Sequence, residues 1–134
     1  MMRLKYLLDT NTAIYVIKRR PVEVLDRFNQ HAGQLSLSVI SQAELMHGAE
    51  KSQARERNFR VLEDFLSRLE VLDYGQKAAA HYGEIRSDLE KRGTPIGVND
   101  LHIAGHARSE GLTVVTNNEK EFTRVSGLRV ENWL

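Results

Sequence analysis

Tyr6-Leu7-Leu8-Asp9-Thr10-Asn11 decides the fold: an apolar run stops at a carboxylate, and a polar pair follows. A buried strand that delivers an acid to its carboxyl end, where a helix then opens, is how a parallel α/β sheet presents a carboxylate at a ligand site. Two further acids occupy comparable settings, Glu44 in Ser41-Gln42-Ala43-Glu44-Leu45 and Asp100 in Ile96-Gly97-Val98-Asn99-Asp100-Leu101. Three carboxylates from distant parts of one small chain can converge on a divalent cation.

The rest of the chain extends this pattern. Leu4 to Leu8 reads as a first strand, and Ala13, Ile14 and Ile17 belong to a short helix after it. Pro21 is placed to start a second helix with Val22, Leu25 and Phe28 on its inner face. Gln34 to Val39 alternates Leu35, Leu37 and Val39 with Ser36 and Ser38, the period of a half-buried strand. Ser41 and Glu44 fit a capping box at the start of the following helix. Arg55 to Leu69 carries a helical apolar stripe, Glu70 to Leu72 is a short strand, and Gln76 to Lys91 is a helix closed by Gly93 and Pro95. An Ala-rich helix from Asn99 to Glu110 stops at Gly111, and strands follow at Leu112 to Val115 and Leu128 to Val130. Such alternation predicts a mainly parallel sheet with helices on both faces, a three-layer α/β/α sandwich.

Composition narrows the function classes. A chain of 134 residues fits a single domain, 1–134, with its site on one sheet edge or cleft. A net charge of +1 gives no overall field for a polyanion, so phosphate contacts must come from local clusters, of which Lys18-Arg19-Arg20 is the best. The absence of Cys excludes disulfides, thiolate metal sites and cysteine nucleophiles, and it suits a reducing cytoplasm. No run approaches the roughly 18 apolar residues of a membrane span, and we read neither signal peptide nor anchor.

Each acid has a plainer use. Asp9 can cap the helix after it. Glu44 can be the capping-box partner of Ser41, and Asp100 can complement a helix dipole. Their joint placement at one sheet edge argues for more, because three converging carboxylates repel unless a cation sits among them. Oxygen ligands without Cys favour Mg²⁺ or Mn²⁺. The rival metal is zinc on His81, His102 and His106, of which His102 and His106 have the i, i+4 spacing; the helix lacks the Glu of a metalloprotease signature.

Leu8-Asp9-Thr10-Asn11, the Glu44 helix, Ile96-Gly97-Val98-Asn99-Asp100-Leu101 with Ala104 and Ala107, and Val115-Thr116-Asn117-Asn118 with Glu121-Phe122 together resemble the PIN-domain ribonucleases, most closely the VapC toxins of type II toxin–antitoxin pairs. The four motifs run from residue 8 to residue 122 in family order. The resemblance implies an α/β/α sandwich whose acids hold Mg²⁺ or Mn²⁺ for attack of water on an RNA phosphodiester. It makes Asp9, Glu44 and Asp100 the principal catalytic and metal-site acids, with Asp9 and Asp100 binding most directly. At the fourth position this chain departs from the family's Asp: Asn118 fills that slot, Glu121 is the replacement carboxylate, and Glu119 is the weaker choice. Thr10, Asn11, Thr116 and Asn118 are then expected to orient the carboxylates, and Lys18, Arg19 and Arg20 to bind RNA phosphates. The resemblance further implies a tRNA substrate, a cognate VapB-like antitoxin and a homodimer, for whose interface Trp133, Phe59, Phe65 and Tyr82 are candidates.

Two other functions compete. In an aspartyl phosphotransferase or phosphatase Asp9 would be the nucleophile, but such enzymes want a second acid two residues later, where Asn11 stands. A non-catalytic module that only binds RNA or protein has no use for Asp9, Glu44 and Asp100.

Overall fold

The computed structural model describes residues 3–134. In chain order it contains β1 (Tyr6–Leu8), α1 (Thr10–Lys18), α2 (Val22–Gln30), β2 (Leu35–Ser38), α3 (Val39–Glu50), α4 (Arg55–Leu66), β3 (Glu70–Leu72), α5 (Gln76–Lys91), α6 (Val98–Glu110), β4 (Thr113–Val115), α7 (Glu119–Phe122) and β5 (Val130–Glu131). The five strands form one sheet in the order β3-β2-β1-β4-β5, and every pairing is parallel.

That order places a topological switch beside β1. The chain lays β2 and β3 outward on one side, then returns to lay β4 and β5 on the other. Leu8 pairs with Leu37 of β2 and with Val115 of β4. At such a switch the connections leave in opposite directions, and a crevice opens beyond the carboxyl ends of the two strands. Asp9 follows β1 there and Thr116 follows β4.

The alternation of strand side chains sorts the core into two layers. Tyr6 and Leu8 join Ala13, Val16, Val24, Phe28, Leu62 and Phe65 beneath α1, α2 and α4. Leu7 points the other way, into Ile85, Leu89, Ile103, Ala104 and Phe122 of α5, α6 and α7. Leu7 and Leu8 are both wholly buried, and each such side chain contributes about 1.5–3 kcal/mol of transfer free energy. The result is the expected three-layer α/β/α sandwich.

Several local expectations change. β2 is buried on both faces, Ser36 and Ser38 included. Serine is tolerated there because Ser36 donates to the Tyr6 carbonyl oxygen at 2.7 Å, while Ser38 lies 2.7 Å from His106 Nδ1. No loop separates β2 from α3: Ser38 ends the strand and caps the helix, accepting from the Ile40 N–H at 3.1 Å. The capping box of Ser41 and Glu44 is therefore absent, since Ser41 lies inside the helix and is fully buried. Trp133 and Phe65, considered for an interface, are core residues 4% exposed. Trp133 meets the Tyr6 ring edge-on at 5.3 Å, Arg55 covers Phe59 at 4.8 Å, and Tyr82 stacks on His102 at 4.2 Å.

Helices α5 and α6 pack backbone against backbone. A Cβ on Gly105 would stand 2.9 Å from the Tyr82 backbone nitrogen. Real Cβ atoms do not come so near, and a backbone atom cannot swing aside. Glycine is thus required at 105 for α6 to lie on α5 and direct its first turn toward the sheet's carboxyl edge.

Candidate active site

Asp9 is 4% exposed, and both its oxygens are engaged. Oδ1 accepts from the Thr12 N–H at 2.8 Å, so Asp9 does cap α1. Oδ2 accepts from the Thr116 hydroxyl at 2.6 Å, and the Asp9 N–H donates to the Val115 carbonyl at 3.0 Å. Capping and site building are therefore two uses of one carboxylate. Burial pushes the Asp9 pKa up, the bonds from Thr116 and Thr12 pull it down, and the charge of Glu44 adds a further rise.

Asp100 lies in the first turn of α6, whose N-cap Gly97 has no side-chain bond. Its carboxyl is within hydrogen-bonding reach of Glu121 and feels the charges of Asp9 and Glu44. Burial first, then the bond and charge of Glu121, then Asp9 and Glu44, push its pKa up to about 7. A carboxyl pushed up in this way by burial and by neighbouring acids marks a place where negative charge has gathered.

Glu44 sits in the second turn of α3 and reaches toward two other helices. Its Oε1 accepts from the Thr10 hydroxyl at 2.7 Å, and its Oε2 accepts from Asn99 Nδ2 at 3.1 Å. Glu121 opens toward the same side from α7, where its Oε2 accepts from Asn118 Nδ2 at 2.9 Å. Thr116 is the hub between them: it is wholly buried, donates to Asp9 and accepts from the Asn118 N–H at 2.8 Å. Glu119 is exposed and takes no part.

The structure thus brings together Asp9, Asp100, Glu121 and, through its charge, Glu44, with Thr10, Thr116 and Asn118 bonded to them. Asn11 is exposed and its side chain has no partner among the described residues. Lys18, Arg19 and Arg20 are exposed at the far end of α1, about 14 Å of helix from Asp9 at 1.5 Å per residue. Arg19 lines a groove of about 460 Å³ with Val16, Ile17, Leu25 and Phe65, and none of the four acids lines it. Sequence reasoning missed Asn99, which binds Glu44, and Tyr15, whose hydroxyl accepts from Asn117 Nδ2 at 2.8 Å. The place of Asn99 beside Asp100 was the one signal that could have found it.

Among the described residues the histidines do not form a metal site. His102 Nδ1 lies 2.8 Å from the Tyr74 hydroxyl, and His81 Nδ1 accepts from Arg108 Nε at 2.9 Å. His106 is fully buried against Ser38, and burial lowers its pKa.

The four acids offer oxygen ligands only, and none of the ion pairs among the described residues involves them. Among the described residues no three His, Cys, Asp or Glu side chains are grouped so that they could hold a metal ion, and the oxygens of Asp9 and Glu44 accept from hydroxyl, backbone and amide donors. Uncompensated hard-oxygen charge at a sheet edge nevertheless fits a hard divalent cation.

The chain is similar to known proteins over nearly its whole length. Residues 6–128 match the PIN domain. Over 131 residues the chain is 63% identical to Ribonuclease VapC2 of Haemophilus influenzae, covering 98% of this chain and 99% of that one. It is 54% identical to the tRNA(fMet)-specific endonuclease VapC of Salmonella typhimurium, covering 97% and 98%. The crystal structure of DNA-bound VapBC from Salmonella typhimurium superposes with a TM-score of 0.93 at 53% identity, covering 98% of this chain and 99% of that one. A second, VapBC2 from Rickettsia felis bound to a promoter DNA fragment, gives 0.91 at 43% identity, covering 99% and 100%. With its acids at the β1/β4 switch and this likeness over nearly its full length, the chain belongs to the PIN-domain family, among the VapC ribonucleases.

Proposed function

We propose that this protein is a divalent-metal-dependent endoribonuclease, the toxin of a toxin–antitoxin pair, and that it cuts tRNA. The observation that carries the proposal is the placement of acids from four elements at the carboxyl ends of β1 and β4, Asp9 bonded to Thr116, Glu44 to Thr10 and Asn99, and Glu121 to Asn118, with Asp100 in the first turn of α6. The donor set fits Mg²⁺, or Mn²⁺, with Asp9 and Asp100 as the direct holders and Glu44 and Glu121 holding water or a second ion. When bound, the ion supplies charge neutralisation at the scissile phosphate and acidifies a water molecule.

The chain's own residues do the rest. Thr116 fixes Asp9 through one short bond and fixes the α7 loop through another, so the strand ends and the fourth acid move as one unit. Asn118 turns Glu121 toward Asp100. Lys18, Arg19 and Arg20 contact phosphates well away from the scissile bond, which suits a long structured RNA rather than a short oligonucleotide. A phosphotransferase is disfavoured, because Asn11 stands two residues after Asp9, where such an enzyme wants a second acid.

Among the described residues no helix is long and apolar enough to cross a membrane, and we place the protein in the cytoplasm. The relatives solved as VapBC complexes support a VapB-like antitoxin as its partner, and we extend the reading to a homodimer. The deciding experiment incubates purified protein with a tRNA mixture, with Mg²⁺ or EDTA, and maps new 5′ ends. Mg²⁺-dependent cuts that vanish in Asp9→Asn are expected; cleavage that persists in EDTA, or intact tRNA throughout, overturns the proposal.

A further inference from the structure

Thr10 Oγ1 lies 2.7 Å from Glu44 Oε1 and 2.9 Å from Ser41 Oγ. A hydroxyl carries one proton, and an ionised carboxylate can only accept. Both contacts are satisfied in one arrangement: Thr10 donates to Glu44, and Ser41 donates to Thr10. Ser41 is fully buried near the start of α3, out of reach of solvent that could take its proton instead. Asn99 holds the other oxygen of the same carboxylate from α6. Glu44 is therefore gripped on both oxygens by groups from two helices other than its own.

From this geometry we infer that Ser41 is a positioning residue, acting through Thr10 to fix the orientation of the Glu44 carboxylate, with Asn99 completing the clamp. The inference rests on the nuclease reading of the site. Donation by Ser41 polarises the Thr10 hydroxyl and strengthens its bond to Glu44. It also denies Thr10 the option of turning its proton elsewhere. A glutamate on the half-exposed face of a helix would otherwise sample several rotamers, and the clamp selects one before RNA or metal arrives.

The test compares wild type, Ser41→Ala, Glu44→Ala and the double variant. Ser41→Ala is expected to lower kcat on tRNA by roughly 10-fold or more while KM for RNA stays within about twofold. Without RNA, calorimetric titration with Mn²⁺ alone is expected to show binding weakened by about 10-fold. In the Glu44→Ala background Ser41→Ala is expected to cost nothing further, because its target is gone. Thr10→Val cuts the same chain at a half-buried position, and Thr10→Ser, which keeps the hydroxyl, is expected to restore activity. This pair decides the matter if Ser41→Ala does not fold. Equal losses from Ser41→Ala with and without Glu44 overturn the inference alone. Wild-type cleavage by Glu44→Ala overturns the functional assignment of Glu44 and the inference with it.

Discussion

Thr116 donates to Asp9 Oδ2 at 2.6 Å across 107 residues of sequence, joining the carboxyl ends of β4 and β1 at the centre of the sheet. The same hydroxyl oxygen accepts from the Asn118 N–H. One buried side chain thereby holds both the Asp9 carboxylate and the loop that carries Glu121.

Replacing Thr116 by Val keeps the shape and removes both bonds. Cleavage of tRNA is expected to fall by about 10–100-fold, the usual effect of removing a group that orients a metal-site carboxylate. Stability is expected to fall by about 1–3 kcal/mol, since the Asn118 N–H is left without its acceptor. Steady-state kinetics and urea melts measure the two, and unchanged kinetics in a folded variant would remove Thr116 from the site.

Asp100 makes the metal-free protein pH-sensitive. Its folded pKa of about 7 lies above its ordinary value of 3.8, so between these pH values the folded chain binds more protons than the unfolded chain, and stability falls as pH rises. Asp100→Asn is expected to flatten that fall and, in EDTA at a pH of about 7.5, just above the folded pKa, to melt at or above wild type. Mg²⁺ is expected to reverse the order by binding the folded wild type. Thermal melts in EDTA and in Mg²⁺ across this range decide it; a drop in stability of the variant that ignores both pH and metal would leave Asp100 a helix-dipole residue only.

Glu121 bonds Asn118 and approaches Asp100, whereas Glu119 is exposed to solvent. Glu121→Gln is expected to reduce cleavage at least about tenfold and Glu119→Gln less than about twofold, by analogy with other orienting groups at metal sites. The reverse ranking would move the fourth acid to Glu119.

Gly105→Ala tests the packing of α5 on α6. On an isolated helix alanine would gain about 1 kcal/mol over glycine. Here the new methyl meets the Tyr82 backbone at 2.9 Å, and overpacking of this kind costs about 1–3 kcal/mol. A net drop in Tm is expected, and a rise would show that the helices separate freely.

Replacing Lys18, Arg19 and Arg20 together is expected to weaken RNA binding. The slope of log affinity against log salt is expected to fall by up to about 0.7–0.9 for each phosphate that is no longer neutralised. Because the cluster stands a helix length from Asp9, single-turnover cleavage of bound RNA is expected to change less. An unchanged salt slope returns these residues to ordinary solvated surface.

What the sequence discloses is what local pattern encodes. The stop from Leu8 to Asp9 fixes β1, its acid and the helix after it, and Gly111 ends α6 in the left-handed conformation with φ 69°. The β2–α3 junction defeats the same reasoning. With no loop between strand and helix, Ser38 and Ser41 are equally plausible caps, and only the third dimension shows that the first caps while the second faces Thr10. Ser36 and Ser38 look like a solvent face because serine is polar, yet their partners Tyr6 and His106 lie 30 and 68 residues away. The clamp on Glu44 is hidden for the same reason, its donors being 34 and 55 residues distant.

The placement of β4 beside β1 has a consequence for the cell that makes the protein. Asp9 and Glu44 are synthesised before Thr116, Asn118 and Glu121. Until β4 inserts next to β1, Asp9 has no Thr116 and Asp100 no Glu121. At about 5–20 residues per second, the stretch from Asp9 to Thr116 takes several seconds to make before the two can meet. A nascent chain accordingly lacks the bonds from Thr116 to Asp9 and from Asn118 to Glu121 until β4 and α7 are in place.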